Sequence, residues 1–165
     1  MPRVTQLGHV GLFVEDLPKM RDFYTRVLGL TVTDEDQERG MVFLSSRPDE
    51  EHHELLLRSG RSVPREVELV QQLSWHVASL DDLLAFHKVL KEEGVTLVRE
   101  VSHGIAVGIY FLDPEGNQLE VYWPTNKRVP QPYSKNVDLE QPADAVLAQA
   151  EALLKEHPSL ASSSR

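Results

Sequence analysis

The chain has 165 residues, enough for a core without covalent staples, and is 41% hydrophobic and 26% charged, as a folded protein usually is. It has no cysteine, which excludes disulfides, thiolate metal sites and Cys nucleophiles and leaves nitrogen and oxygen as the metal donors. A formal charge of −9 and a pI near 5.2 speak against nucleic acid or an anionic membrane as partner.

No apolar run approaches the roughly 18 residues of a membrane span. The N-terminus lacks a signal-peptide pattern, so a cytoplasmic protein is expected.

The first strand is expected at HVGLFV, opening on His9. A helix follows, with Asp16 as N-cap, Pro18 in the first turn and Gly29 as the stop. Leu17, Met20, Phe23, Val27 and Leu28 make its apolar stripe, and another apolar run follows the glycine. Strands are then expected at 41–45 and 53–58, joined by a polar connection at 46–52, with a second connection at 59–70.

At His76 the pattern starts again. HVASLDDLLAFHKVLKEEGVTLV has a short strand, a capping pair Ser79 and Asp82, an amphipathic helix and a stop at Gly94. The two histidines lie 67 positions apart and the two glycines 65, the mark of an internal repeat. Strands are expected at 105–112 and 117–123, joined by Asp113-Pro114-Glu115-Gly116 as a type I turn that brings Tyr110 near Glu120. The segment 124–142 is Pro-rich and is expected to wrap the surface. A modest helix at 143–157 and a frayed end, SLASSSR, complete the chain.

Seven histidines are present, at 9, 52, 53, 76, 87, 103 and 157. Singly, each is more often structural or solvated than functional. Arrangement changes this for His9 and His76, which hold the same point in two copies of a repeat. Glu120 sits in LEVYW, where a lone carboxylate is costly unless paired or bound to metal. On its own it reads rather as the exposed position of an alternating strand. Two imidazoles and one carboxylate suit a non-haem Fe(II) or Mn(II) site, leaving coordination positions open for chemistry. A structural zinc site would usually take four protein ligands.

Val101-Ser102-His103, five residues, Ile109-Tyr110, two residues, Asp113-Pro114-Glu115-Gly116, three residues and Glu120 together resemble the signature of type I extradiol ring-cleavage dioxygenases. These belong to the vicinal oxygen chelate superfamily, and the resemblance covers roughly residues 4–124. It implies an α+β fold of two βαβββ modules, about 4–60 and 71–124, forming one open barrel-like metal pocket, with 125–165 as a C-terminal extension and its short helix.

The resemblance makes His9, His76 and Glu120 the ligands of Fe(II), with Mn(II) as the alternative metal. It makes His53 the histidine that accepts a substrate proton, His52 being the other candidate. Tyr110 and His103 become the groups that contact substrate oxygens. The implied partners are a small aromatic diol and dioxygen, and single-domain relatives often pair, which implies a homodimer or higher homo-oligomer.

A glyoxalase-like isomerase or metal-dependent thiol transferase is the alternative within the superfamily. It would want a fourth ligand, for which Glu54 is the nearby candidate. A ligand-sequestering protein of the same fold would need no ligand triad.

His103 and Tyr110 differ by an odd number, which on one regular strand sets them on opposite faces. His103 must therefore precede the strand, or a bulge near Gly104 or Gly108 must reset the phase. Trp75, Phe43, Ile105 and Tyr122 are candidate pocket walls, and His87 and His157 have no expected role.

Overall fold

In the first half of the chain, apolar residues alternate in short runs broken by Gly, Asp and Pro, and the structure folds them as a four-stranded sheet with one helical element. In this computed structural model residues 1–155 are described. His157 and the frayed end at 159–165 lie outside the described residues.

The strands are β1 (Val10–Val14), β2 (Thr31–Asp36), β3 (Met41–Ser45) and β4 (Leu55–Ser59), in the order β1-β4-β3-β2. β1 runs parallel to β4, while β3 pairs antiparallel with both β4 and β2. Helix α1 (Leu17–Asp22) starts at Asp16, whose carboxylate accepts the Lys19 amide, with Pro18 in its first turn. It continues into a wider π-helical segment, Phe23–Val27. That widening broadens the buried face to Met20, Phe23, Tyr24, Val27 and Leu28, beside buried Leu12, Val14, Leu55 and Leu57. Gly29 ends the segment at φ +73, a conformation that favours a residue without Cβ.

By its contacts the described chain divides into two units. The first comprises Met1–Leu69 together with Asp113–Gly116, and the second Val70–Leu112 with Asn117 onward. Within the first unit, Asp113–Gly116 make the expected turn, the Gly116 amide bonding the Asp113 carbonyl at 3.0 Å. Its buried side chains do more than turn the chain. Glu115 accepts the Glu15 and Asp16 amides at 2.8 and 2.9 Å, which caps the start of α1, and its other oxygen lies 3.6 Å from the Arg61 guanidinium. Asp113 accepts from the buried Tyr24 hydroxyl at 3.1 Å.

The second unit holds β5 (Leu73–His76), α2 (Leu80–Glu92), β6 (Leu97–Ser102), β7 (Ala106–Leu112), β8 (Gln118–Pro124), β9 (Lys135–Asn136) and α3 (Ala143–Lys155). Its sheet runs β5-β8-β7-β6-β9, with β5 parallel to β8. The Ser79 hydroxyl caps α2, and Gly94 stands at φ +65 beyond its end. The helix buries Leu80, Leu83, His87 and Leu90 and packs on β7 and β8, whose Ile109, Phe111 and Leu119 are fully buried.

The Pro-rich tail does not simply wrap the surface. It adds β9 to the edge of β6 and contributes Tyr133, Val137 and Leu139 to the core. Glu100 of β6 fixes it there: one carboxylate oxygen accepts the Leu139 amide at 2.9 Å and the other pairs with the His87 imidazole at 2.8 Å. His87, without a role in the sequence reading, is thus a buried link between α2 and β6. No helix among the described residues is long and apolar enough to cross a membrane.

Candidate active site

The polar face of the second sheet carries most of the expected chemistry. Paired residues on neighbouring strands share a face, and the register pairs Ser74 with Glu120, His76 with Tyr122, Tyr110 with Glu120 and Gly108 with Tyr122. On β6, Arg99 pairs with Tyr110 and Val101 with Gly108. Glu120, Tyr110, His76, Ser74 and Arg99 therefore stand on one face, opposite the face that α2 covers.

Glu120 is buried, and its Oε2 accepts from the Ser74 hydroxyl at 2.6 Å and the Gln72 amide at 3.0 Å. Neither donor was recognised from the sequence, since QLSWH reads as an ordinary polar-apolar alternation. Gly108 provides the room. A Cβ there would come within 2.9 Å of Glu120 Oε1 and 3.3 Å of Tyr122 Cβ. Gly108→Ala is accordingly expected to displace the Glu120 carboxylate and, with Glu120 as an expected metal ligand, to weaken divalent-metal binding about tenfold or more, the scale of lost support around a ligand. Metal titration of the variant beside its melting curve checks this, because the melting curve should move little.

His103 and Tyr110 meet. His103 precedes β7, at the end of β6, where its amide bonds the Ala106 carbonyl. In an antiparallel hairpin the two partners face alike whatever the parity of their separation, so the odd spacing needs no bulge at Gly104 or Gly108. The imidazole Nε2 lies 3.1 Å from the Tyr110 hydroxyl, and Nδ1 lies 2.9 Å from the Tyr133 carbonyl oxygen. A carbonyl only accepts, so Nδ1 carries a hydrogen. In the neutral ring Nε2 then accepts, and Tyr110 donates to it. Burial, followed by the nearby Glu120 carboxylate, raises the Tyr110 pKa, while Arg99 and Gln72 act against the rise. The phenol stays protonated at neutral pH.

In the first unit, His9 is exposed just before β1 and His53 lies in the loop before β4. Their rings stack with centroids 4.2 Å apart, and Phe43 packs edge-on against His53 at 5.1 Å. β4 begins at Leu55, two residues after the expected start at 53, so His53 lies outside the strand's alternation. Instead it packs on Phe43, whose cross-strand partner is Leu56 of the opposite face. His52 lies beside it, the two Nδ1 atoms 2.8 Å apart, and its Nε2 is 3.9 Å from Asp34. Desolvation first, then the neighbouring His9 and His52, lowers the His53 pKa from the ordinary 6.5, so its ring is neutral at neutral pH. A neutral ring is what a proton acceptor needs.

Glu54 is engaged elsewhere. One oxygen accepts the Ser46 amide and hydroxyl at 2.8 and 2.5 Å, and the other pairs with Arg47 at 3.2 Å. Its pKa is lowered, burial opposing and the Ser46 and Arg47 contacts prevailing. A carboxylate clamped in this way serves its own loop. Of the candidate pocket walls, Phe43 packs on both His52 and His53, and Tyr122 lies 6.1 Å from the His76 ring. Trp75 pairs with Val121 and so lies on the face opposite His76, and Ile105 is exposed in the β6–β7 turn.

The donor set suits a divalent cation. His76 is exposed and shares the Glu120 face, and among the described residues neither the His9 nor the His76 imidazole makes a hydrogen bond, which leaves their ring nitrogens available to a ligand. His9 belongs to the first unit, and His76 and Glu120 to the second. Among the described residues, no group of three or more His, Cys, Asp or Glu side chains is gathered as a metal centre.

A biphenyl-2,3-diol 1,2-dioxygenase (isoform 3) of Rhodococcus globerulus is 33% identical over 122 residues, covering 70% of this chain and 62% of the relative. A manganese-dependent 2,3-dihydroxybiphenyl 1,2-dioxygenase of Geobacillus genomosp. 3 is 28% identical over 75% of this chain and 38% of the relative. The chain thus spans less than two thirds of either relative's length. An integron cassette protein from a Halifax Harbour sewage metagenome has the same fold. It matches with a TM-score of 0.60 and 26% identity, over 73% of this chain and 99% of that one. The family model described as Glyoxalase/Bleomycin resistance protein/Dioxygenase superfamily matches residues 6–121.

Proposed function

The chain belongs to the glyoxalase/bleomycin resistance protein/dioxygenase superfamily, and from that premise we propose that it cleaves a catechol-type ring with dioxygen, beside the diol, at one divalent metal. His9, His76 and Glu120 would hold the metal, Fe(II) in the first instance and Mn(II) as the alternative, in keeping with a relative named as manganese-dependent. Bound there, the ion would polarise the diol and give its electrons a path to dioxygen. Both oxygen atoms enter the opened ring, so no further reductant is required.

The observation that carries the reading is the joined set of Glu120, Tyr110 and His103 on one sheet face. An isomerase has no need of it, and its extra carboxylate, Glu54, is held by Ser46 and Arg47. In this reading neutral His53 accepts a proton from the diol. Tyr110 rests with its hydroxyl hydrogen on His103 Nε2. A substrate oxygen beside Tyr110 would take over that hydrogen bond, the phenol turning its hydrogen from Nε2 to the substrate. His103 Nδ1, fixed on the Tyr133 carbonyl, keeps the ring in place throughout.

Anaerobic loading with Fe(II), then addition of simple catechols in air, tests this. A yellow ring-fission product with matching oxygen uptake is expected. Iron-containing protein that consumes no oxygen with any catechol would contradict the proposal. His53→Ala is expected to slow turnover about 100-fold or more at unchanged metal content, the usual range for a lost acid–base group. Because His53 must be neutral, the acid limb of kcat/KM should fall below the ordinary 6.5.

A further inference from the structure

Arg99 stands on the same face as His103, Tyr110 and Glu120. It is the cross-strand partner of Tyr110, and its guanidinium lies 4.1 Å over the Tyr110 ring. It is exposed and has no carboxylate partner among the described residues, although acidic residues outnumber Lys and Arg by 26 to 17. Arg21, Arg47 and Arg65 each pair with a glutamate, so acids reach the arginines elsewhere. A guanidinium stacked on a ring keeps its N–H donors directed outward, in a fork that fits a carboxylate.

We infer that Arg99 binds a carboxylate carried on the substrate's side chain, so that the substrate class is a catechol with an acidic side chain. This rests on the ring-cleavage reading above. Glu120, Tyr110 and Arg99 are cross-strand neighbours on β8, β7 and β6. Two strand spacings separate Glu120 from Arg99, about 10 Å. A catechol with its diol at the Glu120 end and a two- or three-atom chain ending in a carboxylate covers that distance along Tyr110. Biphenyl and naphthalene diols, the compounds in the relatives' names, have no such anion.

Dihydrocaffeate and its methyl ester differ in this one charge and make the test. Anaerobic calorimetry on the Mn(II)-loaded protein, repeated on the metal-free protein, gives their affinity ratio without relying on turnover. The acid should bind about 10- to 100-fold more tightly than the ester, the range for a charge-assisted contact. Arg99→Met should remove that difference by weakening the acid alone, and Arg99→Lys should restore part of it. Equal binding of acid and ester, equal weakening of both in Arg99→Met, or no binding of the acid would each overturn the inference. An acid preference without ring cleavage would keep the subsite and reject the reaction. Ring cleavage without acid preference would do the reverse.

Discussion

Glu120→Ala is expected to lower the proposed ring cleavage at least about 1000-fold, because it removes a proposed metal ligand and empties the centre of the polar network together. Two donors, the Ser74 hydroxyl and the Gln72 amide, converge on Glu120 Oε2. They aim the carboxylate, so truncation leaves both facing a gap. Glu120→Gln keeps the shape and should keep the fold, yet a neutral amide is a poor metal ligand. Ser74→Ala, which removes one of the donors, should weaken metal binding about tenfold, as losses around a ligand commonly do. Turnover and bound metal, measured across these three variants, should fall together. A Glu120→Gln protein with full metal content and normal turnover would show that the carboxylate has another purpose.

The second large effect concerns stability. Glu115→Ala is expected to destabilise the protein by about 3–5 kcal/mol, the penalty for breaking a buried charge pair from one side. Glu115 is 1% exposed and receives two amides at the start of α1, and the Arg61 side chain opposite it is 7% exposed. Alanine would leave the amides without their acceptor and the guanidinium buried without its counter-charge. Glu115→Gln should be milder, since the amide oxygen still accepts. Chemical denaturation reads the difference. A loss under about 1 kcal/mol in Glu115→Ala would mean that water replaces the carboxylate, contrary to its burial.

Glu115 also marks how far the sequence could be read. Asp113-Pro114-Glu115-Gly116 announced a turn through local chemistry, and the turn is there. What the Glu115 side chain does depends on residues 99 and 100 positions away, which no local pattern encodes. Caps and stops at Asp16, Gly29, Ser79 and Gly94 were legible for the same local reason, and β3 spans 41–45 as expected.

The meeting of His103 and Tyr110 was named by the motif but looked geometrically awkward, because spacing along one strand says nothing about partners across a hairpin. The same blindness hid Gln72, Ser74, the His87–Glu100 pair and β9, all of which exist through cross-strand or long-range pairing. At His53, β4 begins two residues later than expected, which leaves the ring before the strand and packed on Phe43.

In the proposed site His9, His76 and Glu120 together hold one metal. Titrating metal-free protein with Mn(II), with free ion followed by electron paramagnetic resonance, tests this most directly. One ion per chain is expected, with affinity at least about 100-fold weaker in each of His9→Ala, His76→Ala and Glu120→Ala. Wild-type affinity in His9→Ala, or no binding by the unaltered chain, would contradict it.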